Sequence, residues 1–278
     1  MSKSPPAELR DAPLGHATTH PDTYDARLLF PVPRAPQRAA LGIAGALPFS
    51  GIDLWTAYDL TWLDAHGKPA VAIASLAFAV DSPSIVESKS MKLYLGSFAQ
   101  SRFATIEEVR ATLAKDLSTA VSSIVDVSLA SPASFGSMEL HDLDGDSIDG
   151  ERIECDAYQV DARLLRSGGD SVSESLRSDL FRSVCPVTGQ PDIASVQIDY
   201  QGPRIDRGSL LRYLVSFRRH PGFHEHCVER MFVDIVARCG PVALSVYARF
   251  TRRGGIDINP FRSNVSGRRA SGARTARQ

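Results

Sequence analysis

The sequence predicts an α+β protein of two tandem ββααββ modules, with antiparallel sheets and paired helices. Three observations carry this. Apolar–polar alternation marks strands in both halves, apolar spacings of three and four mark two helices in each, and one helical stretch occurs twice. VESKSMKLYLGSF (86–98) and IDRGSLLRYLVSF (205–217) align without a gap and share Ser90/Ser209, Tyr94/Tyr213, Leu95/Leu214, Ser97/Ser216 and Phe98/Phe217. Val109 and Val228 keep the same offset, so duplication is the better reading of the two halves. Two related modules are then expected to pack around a shared site.

The first 45 or so residues, rich in Pro, Ala and Thr, read as an irregular extension. Ile52 to Trp62 alternates as a half-buried strand, DAHGKP (64–69) is a turn, and Val71–Val80 is the second arm of a hairpin. Met91, Leu95 and Phe98 have helical spacing. Thr105 and Glu108 form a capping box ahead of a helix carrying Ile106, Val109, Leu113 and Leu117. Strands are expected near Ser123–Leu129 and Met138–Leu143. In the second half, strands are expected near Glu154–Leu165 and Ala194–Tyr200, helices over Leu210–Phe217 and Val228–Val236, and a closing strand through Leu244–Phe250. The implied division is an extension (1–45), a first module (46–145), a second module (146–264) and a basic, disordered tail (265–278).

Composition narrows the function classes. The chain has 278 residues, 43% hydrophobic, with a formal net charge of -1. A core is affordable, and near-neutral charge leaves no footprint for nucleic acid or an acidic substrate. The Arg-rich tail admits an RNA-contacting arm, against the simpler reading of a solvated terminus. The start MSKSPPAELRD has no apolar signal core, and no run reaches transmembrane length. Cys155, Cys185, Cys227 and Cys239 contain no CxxC pair, and read as reduced thiols of a cytoplasmic protein.

Three polar stretches are candidates for chemistry. Glu87-Ser88-Lys89-Ser90-Met91-Lys92 reads either as a charged helix start or as a ligand site in which Glu87 and the first amides hold the ligand and Lys89 meets a phosphate. Phe223-His224-Glu225-His226-Cys227 puts His224 and Cys227 on one helical face, but no second compact ligand pair accompanies them, so no metal is assigned. Glu225 is better suited to accepting paired hydrogen bonds from an amidine-like edge such as that of guanine. In SVCPVTGQPD (183–192), Cys185 stands before a proline among loop formers, seven residues ahead of Asp192. Arg182 or a helix dipole is a means of raising its thiolate fraction, and Asp192 a means of supplying protons. On the residues alone, nucleophile and filler both stay open. No GxGxxG or GxxxxGK[ST] is present, so the best dinucleotide candidate is Thr251-Arg252-Arg253-Gly254-Gly255, with two guanidiniums and permissive glycines. Alone, it reads equally as a basic hairpin turn.

Taken together, ESKSMKLYLGSF, SVCPVTGQPD, IDRGSLLRYLVSFRRHPGFHEHCVERMF and YARFTRRGGIDINPFRSN closely resemble the long, two-module form of the NADPH-dependent 7-cyano-7-deazaguanine reductases, nitrile reductases of the queuosine pathway with a tunnelling fold. The resemblance runs from about Asp22–Ala26 to Asn264. It departs at His226, where the family usually has Gln. It implies reduction of the nitrile to the aminomethyl compound with two NADPH, by way of a thioimidate on Cys185 with Asp192 handling the proton. It also implies substrate binding by Glu87, Ser88, Lys89, His224 and Glu225, and NADPH binding by Lys89, Ser90, Arg253 and Gly254. A homodimer in the cytoplasm follows, with no metal, no membrane and no direct nucleic-acid contact. Two alternatives use other chemistry: a metal-dependent purine or pterin cyclohydrolase on the same fold, and a non-catalytic tRNA- or purine-binding module.

Overall fold

In the computed structural model, residues 21–278 are described, and they fall into two compact units. Unit 1 holds the chain up to Gln37, Leu54–Met138 and Arg252–Asp257; unit 2 holds Arg38–Asp53, Glu139–Thr251 and Ile258–Gln278. The expectation for the first 20 residues lies outside the described part of the chain.

Residues 21–45 are not wholly irregular. Ala26–Leu28 is a 3₁₀ turn, β1 is Pro31–Pro33 and α1 is Ala35–Ala40. β2 (Ser50–Leu63) and β3 (Pro69–Ala79) form the expected hairpin. The Asp64 carboxylate accepts the His66 and Lys68 amides at 2.9 Å each, and Gly67 takes the left-handed φ of +81° that the turn requires. The short β4 (Ser84–Val86) pairs antiparallel with β1 and leads into α2 (Ser88–Gly96). α3 (Ile106–Val121) buries Val109, Leu113, Leu117 and Val121, one stripe four residues apart. Its Thr105 hydroxyl accepts the Glu108 amide as expected, while Glu108 reaches back to the Ala104 amide. β5 (Val125–Ala130) then pairs with β3, giving the strand order β5-β3-β2 in unit 1.

Two expected strands do not form. After β5, Pro132–Ser137 is a 3₁₀ turn, and 138–143 makes only an isolated bridge, Leu140 to Arg274. Within 154–165 the only regular piece is the 3₁₀ turn Ala162–Leu164, because the Asp161 carboxylate accepts the Arg163 amide and starts a turn instead. Unit 2 contains β6 (Asp146–Ser147), β7 (Ser167–Val184), β8 (Pro191–Ile205), α4 (Arg207–Ser216), α5 (His224–Cys239), β9 (Ala243–Phe250) and β10 (Ile256–Ser263), in the strand order β10-β9-β8-β7-β6. α4 and α5 pack their apolar sides with Phe181, Val196, Ile198 and Phe250 into the core.

β7 and β10 carry little strand signal. The first part of β7 is SGGDSVSES, mostly exposed and held by its long pairing with β8. β10 is buried along its whole length although it reads IDINPFRS. Its polar residues are satisfied internally. Asp257 accepts from the Tyr58 hydroxyl, Asn259 accepts the Phe250 amide at 3.1 Å, and the Ser263 hydroxyl meets that of Ser245 at 2.8 Å. Arg262, with no exposed surface, donates to Asp53 at 2.7 Å and to Glu229 at 3.0 Å, and Glu229 also pairs with Arg38 at 2.7 Å. Two cations and two anions are thereby neutralised in the interior of unit 2.

Residues 265–278, expected as a disordered tail, lie against unit 2. Gln278 is buried, and His141 donates to the Arg274 carbonyl at 2.8 Å. The tail replaces solvation with specific acceptors, which a purely compositional reading misses.

The duplication has a counterpart in local geometry. The pentapeptide Asp-Ala-Arg-Leu-Leu occurs at 25–29 and again at 161–165, each time as an Asp-capped 3₁₀ turn. The following residue, Phe30 or Arg166, offers its carbonyl to the cap residue of the next helix, Glu87 or Asp206, at 2.9 and 3.0 Å. Its own amide donates to the hydroxyl of the helix-start serine, Ser90 or Ser209.

Candidate functional site

In unit 2 the β7–β8 hairpin positions the thiol. The Cys185 amide donates to the Gln190 carbonyl at 2.9 Å, the Gly189 amide returns to the Cys185 carbonyl at 3.0 Å, and Gly189 has φ +68°. This closes a tight loop in which a proline and a glycine are required by the backbone. Asp192 is the cross-strand partner of Ser183, two residues before Cys185. Ser183 and Asp192, paired across the hairpin, share one face, and Cys185 follows in the loop just beyond β7. Cys185 is half-buried and Asp192 buried.

The start of α5 meets the same carboxylate. His224 Nε2 stands 3.5 Å from Asp192 Oδ1, and the His224 ring packs on Phe250 with centroids 3.9 Å apart. Glu225 is buried in the first turn, whose cap residue Phe223 makes no side-chain capping bond. A strap at 218–222 fixes the end of β7: Val184 donates to the His220 carbonyl at 3.0 Å and accepts from the Gly222 amide at 3.2 Å. Arg182 is committed to the Arg218 carbonyl in this strap. Burial lowers His220 to about 4 and lowers His226 as well, so both rings are neutral at ordinary pH.

The four cysteines separate by environment. Burial pushes the Cys227 thiol up to about 12, with Ser183 leaning on it and Asp192 and Glu225 adding negative charge nearby. That makes Cys227 an inert neighbour of Cys185. No group of three His, Cys, Asp or Glu side chains among the described residues is placed to hold a metal, and His224 faces Asp192. The metal reading of HEHC, and with it the cyclohydrolase alternative, gains nothing.

In unit 1 a second set converges. Glu87 caps α2: one carboxylate oxygen accepts the Lys89 amide at 2.6 Å, the other the Ser90 amide at 2.8 Å. Burial raises its carboxyl despite these bonds and the nearby Lys92 charge. Ser88 and Lys89 are half-buried and Ser90 is buried. The TRRGG turn lies with this helix, Gly254 (φ +59°) against the Lys92 stem and Gly255 (φ +78°) against Asp59. A Cβ on Gly255 would stand 2.5 Å from Asp59 Oδ2, so the turn is built for glycine. Arg252 lies over the Tyr58 ring at 5.0 Å, and the Arg253 amide closes the turn on the Ile256 carbonyl at 2.9 Å. The capping role of Glu87, one of the two readings of its motif, is therefore realised.

The structure thus gathers Cys185, Asp192, His224 and Glu225 in unit 2, and Glu87, Ser88, Lys89, Ser90, Arg253 and Gly254 in unit 1. Sequence reasoning missed Ser183, Phe250, the strap around His220, and Lys92. Only Ser183 carried a usable signal, its two-residue spacing from Cys185.

A half-buried loop thiol on the same hairpin as a buried carboxylate that meets an imidazole, on a mixed α+β scaffold, is a combination that covalent thiol catalysis uses. Comparison with known proteins gives the family. The model described as nitrile reductase, 7-cyano-7-deazaguanine-reductase N-term, matches residues 20–129, and that of QueF-like protein matches 191–268. Proteins named NADPH-dependent 7-cyano-7-deazaguanine reductase from Burkholderia multivorans and Burkholderia vietnamiensis are each 56% identical over 269 residues, 96% of this chain and 98% of theirs. The apo archaeosine synthase QueF-Like aligns at TM-score 0.30 and 17% identity, over 34% of this chain and 94% of its own, a likeness that carries no argument. The chain belongs to the 7-cyano-7-deazaguanine reductase family of nitrile reductases. Cys185 falls between the two model matches.

Proposed function

We propose that this protein reduces the nitrile of 7-cyano-7-deazaguanine to an aminomethyl group with NADPH, in queuosine biosynthesis. The observation that carries the reading is the Cys185 loop on a hairpin whose other arm holds Asp192, with His224 3.5 Å from the Asp192 carboxylate. The Cys185 thiol gives its proton to the Asp192 carboxylate as the sulfur adds to the nitrile carbon, and Asp192 passes that proton to the nitrile nitrogen, which leaves a neutral thioimidate on the sulfur. Glu225 accepts N–H groups of the deazaguanine edge and His224 lies against the ring, and the family resemblance assigns Glu87, Ser88 and Lys89 to substrate binding as well.

The residues of unit 1 fit NADPH. The two glycines give the TRRGG turn its tight left-handed shape beside α2, and Arg253, Lys89, Ser90 and Gly254 would hold the charged groups of NADPH. When bound, NADPH supplies the hydride for each of the two reductions. After hydride has reached the thioimidate carbon, the C–S bond breaks, Cys185 departs as thiolate and an imine is left for the second reduction, while the tight loop at Cys185–Gln190 holds the sulfur.

The finer architecture we propose is a tunnelling fold of two ββααββ modules, 46–145 and 146–264, working as a cytoplasmic homodimer. The unit 2 order β7-β8-α4-α5-β9-β10 and the repeated Asp-Ala-Arg-Leu-Leu docking support duplication, although unit 1 closes with β5 alone. No helix among the described residues is long and apolar enough to cross a membrane.

The test needs no cofactor. Incubation with 7-cyano-7-deazaguanine alone should add the mass of one nitrile per chain, on the peptide containing Cys185. Cys185→Ala should form no adduct and turn nothing over. Full activity in Cys185→Ala, or adduct on another cysteine, removes the assignment.

A further inference from the structure

We propose that Gln278 is a positioning residue for the His224–Asp192 pair, a role that rests on the thiol-addition reading above. Its side chain joins Arg249 and Phe250 of β9, Asn259 of β10 and the tail residue Thr275, whose amide donates to Gln278 Oε1 at 3.1 Å. Gln278 Oε1 accepts from Arg249 Nε at 2.7 Å, and Gln278 Nε2 donates to the Phe250 carbonyl at 3.1 Å and to Asn259 Oδ1 at 2.7 Å. Asn259 Oδ1 in turn accepts the Phe250 amide, so both backbone groups of Phe250 are tied into one network.

Arg249 shows why the network forms. This guanidinium is 3% exposed, and its acceptors are Gln278 Oε1, the Tyr247 hydroxyl at 2.7 Å and the Ser271 carbonyl at 3.3 Å. Two of these come from the tail. A buried cation needs its donors satisfied, so the sheet face demands the tail in this place.

From Phe250 the network reaches the site by two routes. Its ring supports the His224 ring at 3.9 Å, and the next residue, Thr251, donates its amide to the Ile193 carbonyl at 2.8 Å. Ile193 follows Asp192. One strand end therefore sets both the imidazole, through ring packing, and the strand that carries the carboxylate, through a backbone bond. A loosened Phe250 shifts both partners of a 3.5 Å contact on which proton delivery depends.

Gln278→Ala and Gln278→Glu test this in the cofactor-free adduct assay, with nitrile affinity and thermal unfolding measured alongside. The glutamate keeps an oxygen for Arg249 and suits its charge, but lacks the donor to Phe250 and Asn259. Both variants should form the Cys185 adduct on the order of tenfold more slowly. Nitrile affinity should stay within twofold of the parent (about 0.4 kcal/mol), and Gln278→Glu should regain thermal stability without regaining rate. An unchanged adduct rate in folded Gln278→Glu overturns the proposal. So does recovery of rate together with stability, or failure of both variants to fold, since Gln278 would then serve stability alone. A parent chain that forms no adduct instead removes the thiol reading, and this role with it.

Discussion

Replacing Glu229 by Gln should loosen α5 by about 3 kcal/mol. The carboxylate accepts two bonds from Arg38, at 2.7 and 3.1 Å, and two from Arg262, at 3.0 and 3.1 Å. The substitution keeps volume and one acceptor oxygen but leaves two buried guanidiniums facing the single carboxylate of Asp53. Removing one partner of a buried pair costs roughly 3–5 kcal/mol, and the remaining Asp53 contact to Arg262 at 2.7 Å argues for the lower end. At about 1.36 kcal/mol per decade, amide protection in peptides spanning α5 should fall on the order of 100-fold. Hydrogen exchange read by mass spectrometry gives this directly, with α3 in unit 1 as the internal control. A loss below fivefold would refute the reasoning, because it would mean that water already screens these charges. The pH dependence has a definite sign. Burial alone would raise the Glu229 carboxyl, but Arg262 and Arg38 override it and hold it below the ordinary range. Stability from this group is thus complete above the unfolded carboxylate value of about 4.3 and is lost as pH falls through the depressed folded value. The glutamine variant should lack that acid-sensitive component.

Three further outcomes follow from named contacts. Cys227, its thiol pushed up to about 12, holds on the order of 1,000-fold less thiolate at neutral pH than an ordinary thiol; iodoacetamide should leave it unlabelled in the native protein, and ready labelling would contradict its burial. Glu87→Ala removes the α2 cap and should destabilise unit 1 by about 1–2 kcal/mol, read from the fluorescence of Trp55 and Trp62, the chain's two tryptophans, both in that unit; an unshifted urea midpoint would mean the cap contributes nothing. Gly255→Ala places a Cβ against Asp59 at a left-handed φ, and should raise the KM for NADPH on the order of tenfold while cofactor-free adduct formation keeps its rate; an unchanged KM would take the turn out of cofactor binding.

Much of the site was legible because its signals are local. Cys185 before a proline, with Gly189 and Asp192 following, specifies a tight loop whatever surrounds it, and the β7–β8 hairpin delivers that loop. Glu87 before an apolar periodic run specifies a capped helix start, and the cap forms with two amide bonds. The periodic stripe of α3 and the alternation of β2 survive for the same reason, since each is a property of neighbours in sequence. By contrast, β10 hid its strand character because Asp257, Asn259 and Arg262 are buried by partners far away in the chain, not exposed on a polar face. The tail hid for a related reason: its docking depends on Arg249, a residue whose need for acceptors no window around 265–278 can reveal.

The sequence by itself determined the class of most elements and which residues could carry thiol, carboxylate and phosphate-binding chemistry. Only the tertiary structure decided which of these are inert and which are poised. Cys227 and Cys185 are both thiols of unit 2, yet one is sealed in the core and the other is half-buried in a tight loop. It also decided that Phe250, Asn259 and Gln278 form one hydrogen-bonded group, with the Phe250 ring packed on His224. Burial and long-range pairing set these outcomes, because desolvation and hydrogen-bond satisfaction are properties of the assembled interior and have no period along the chain.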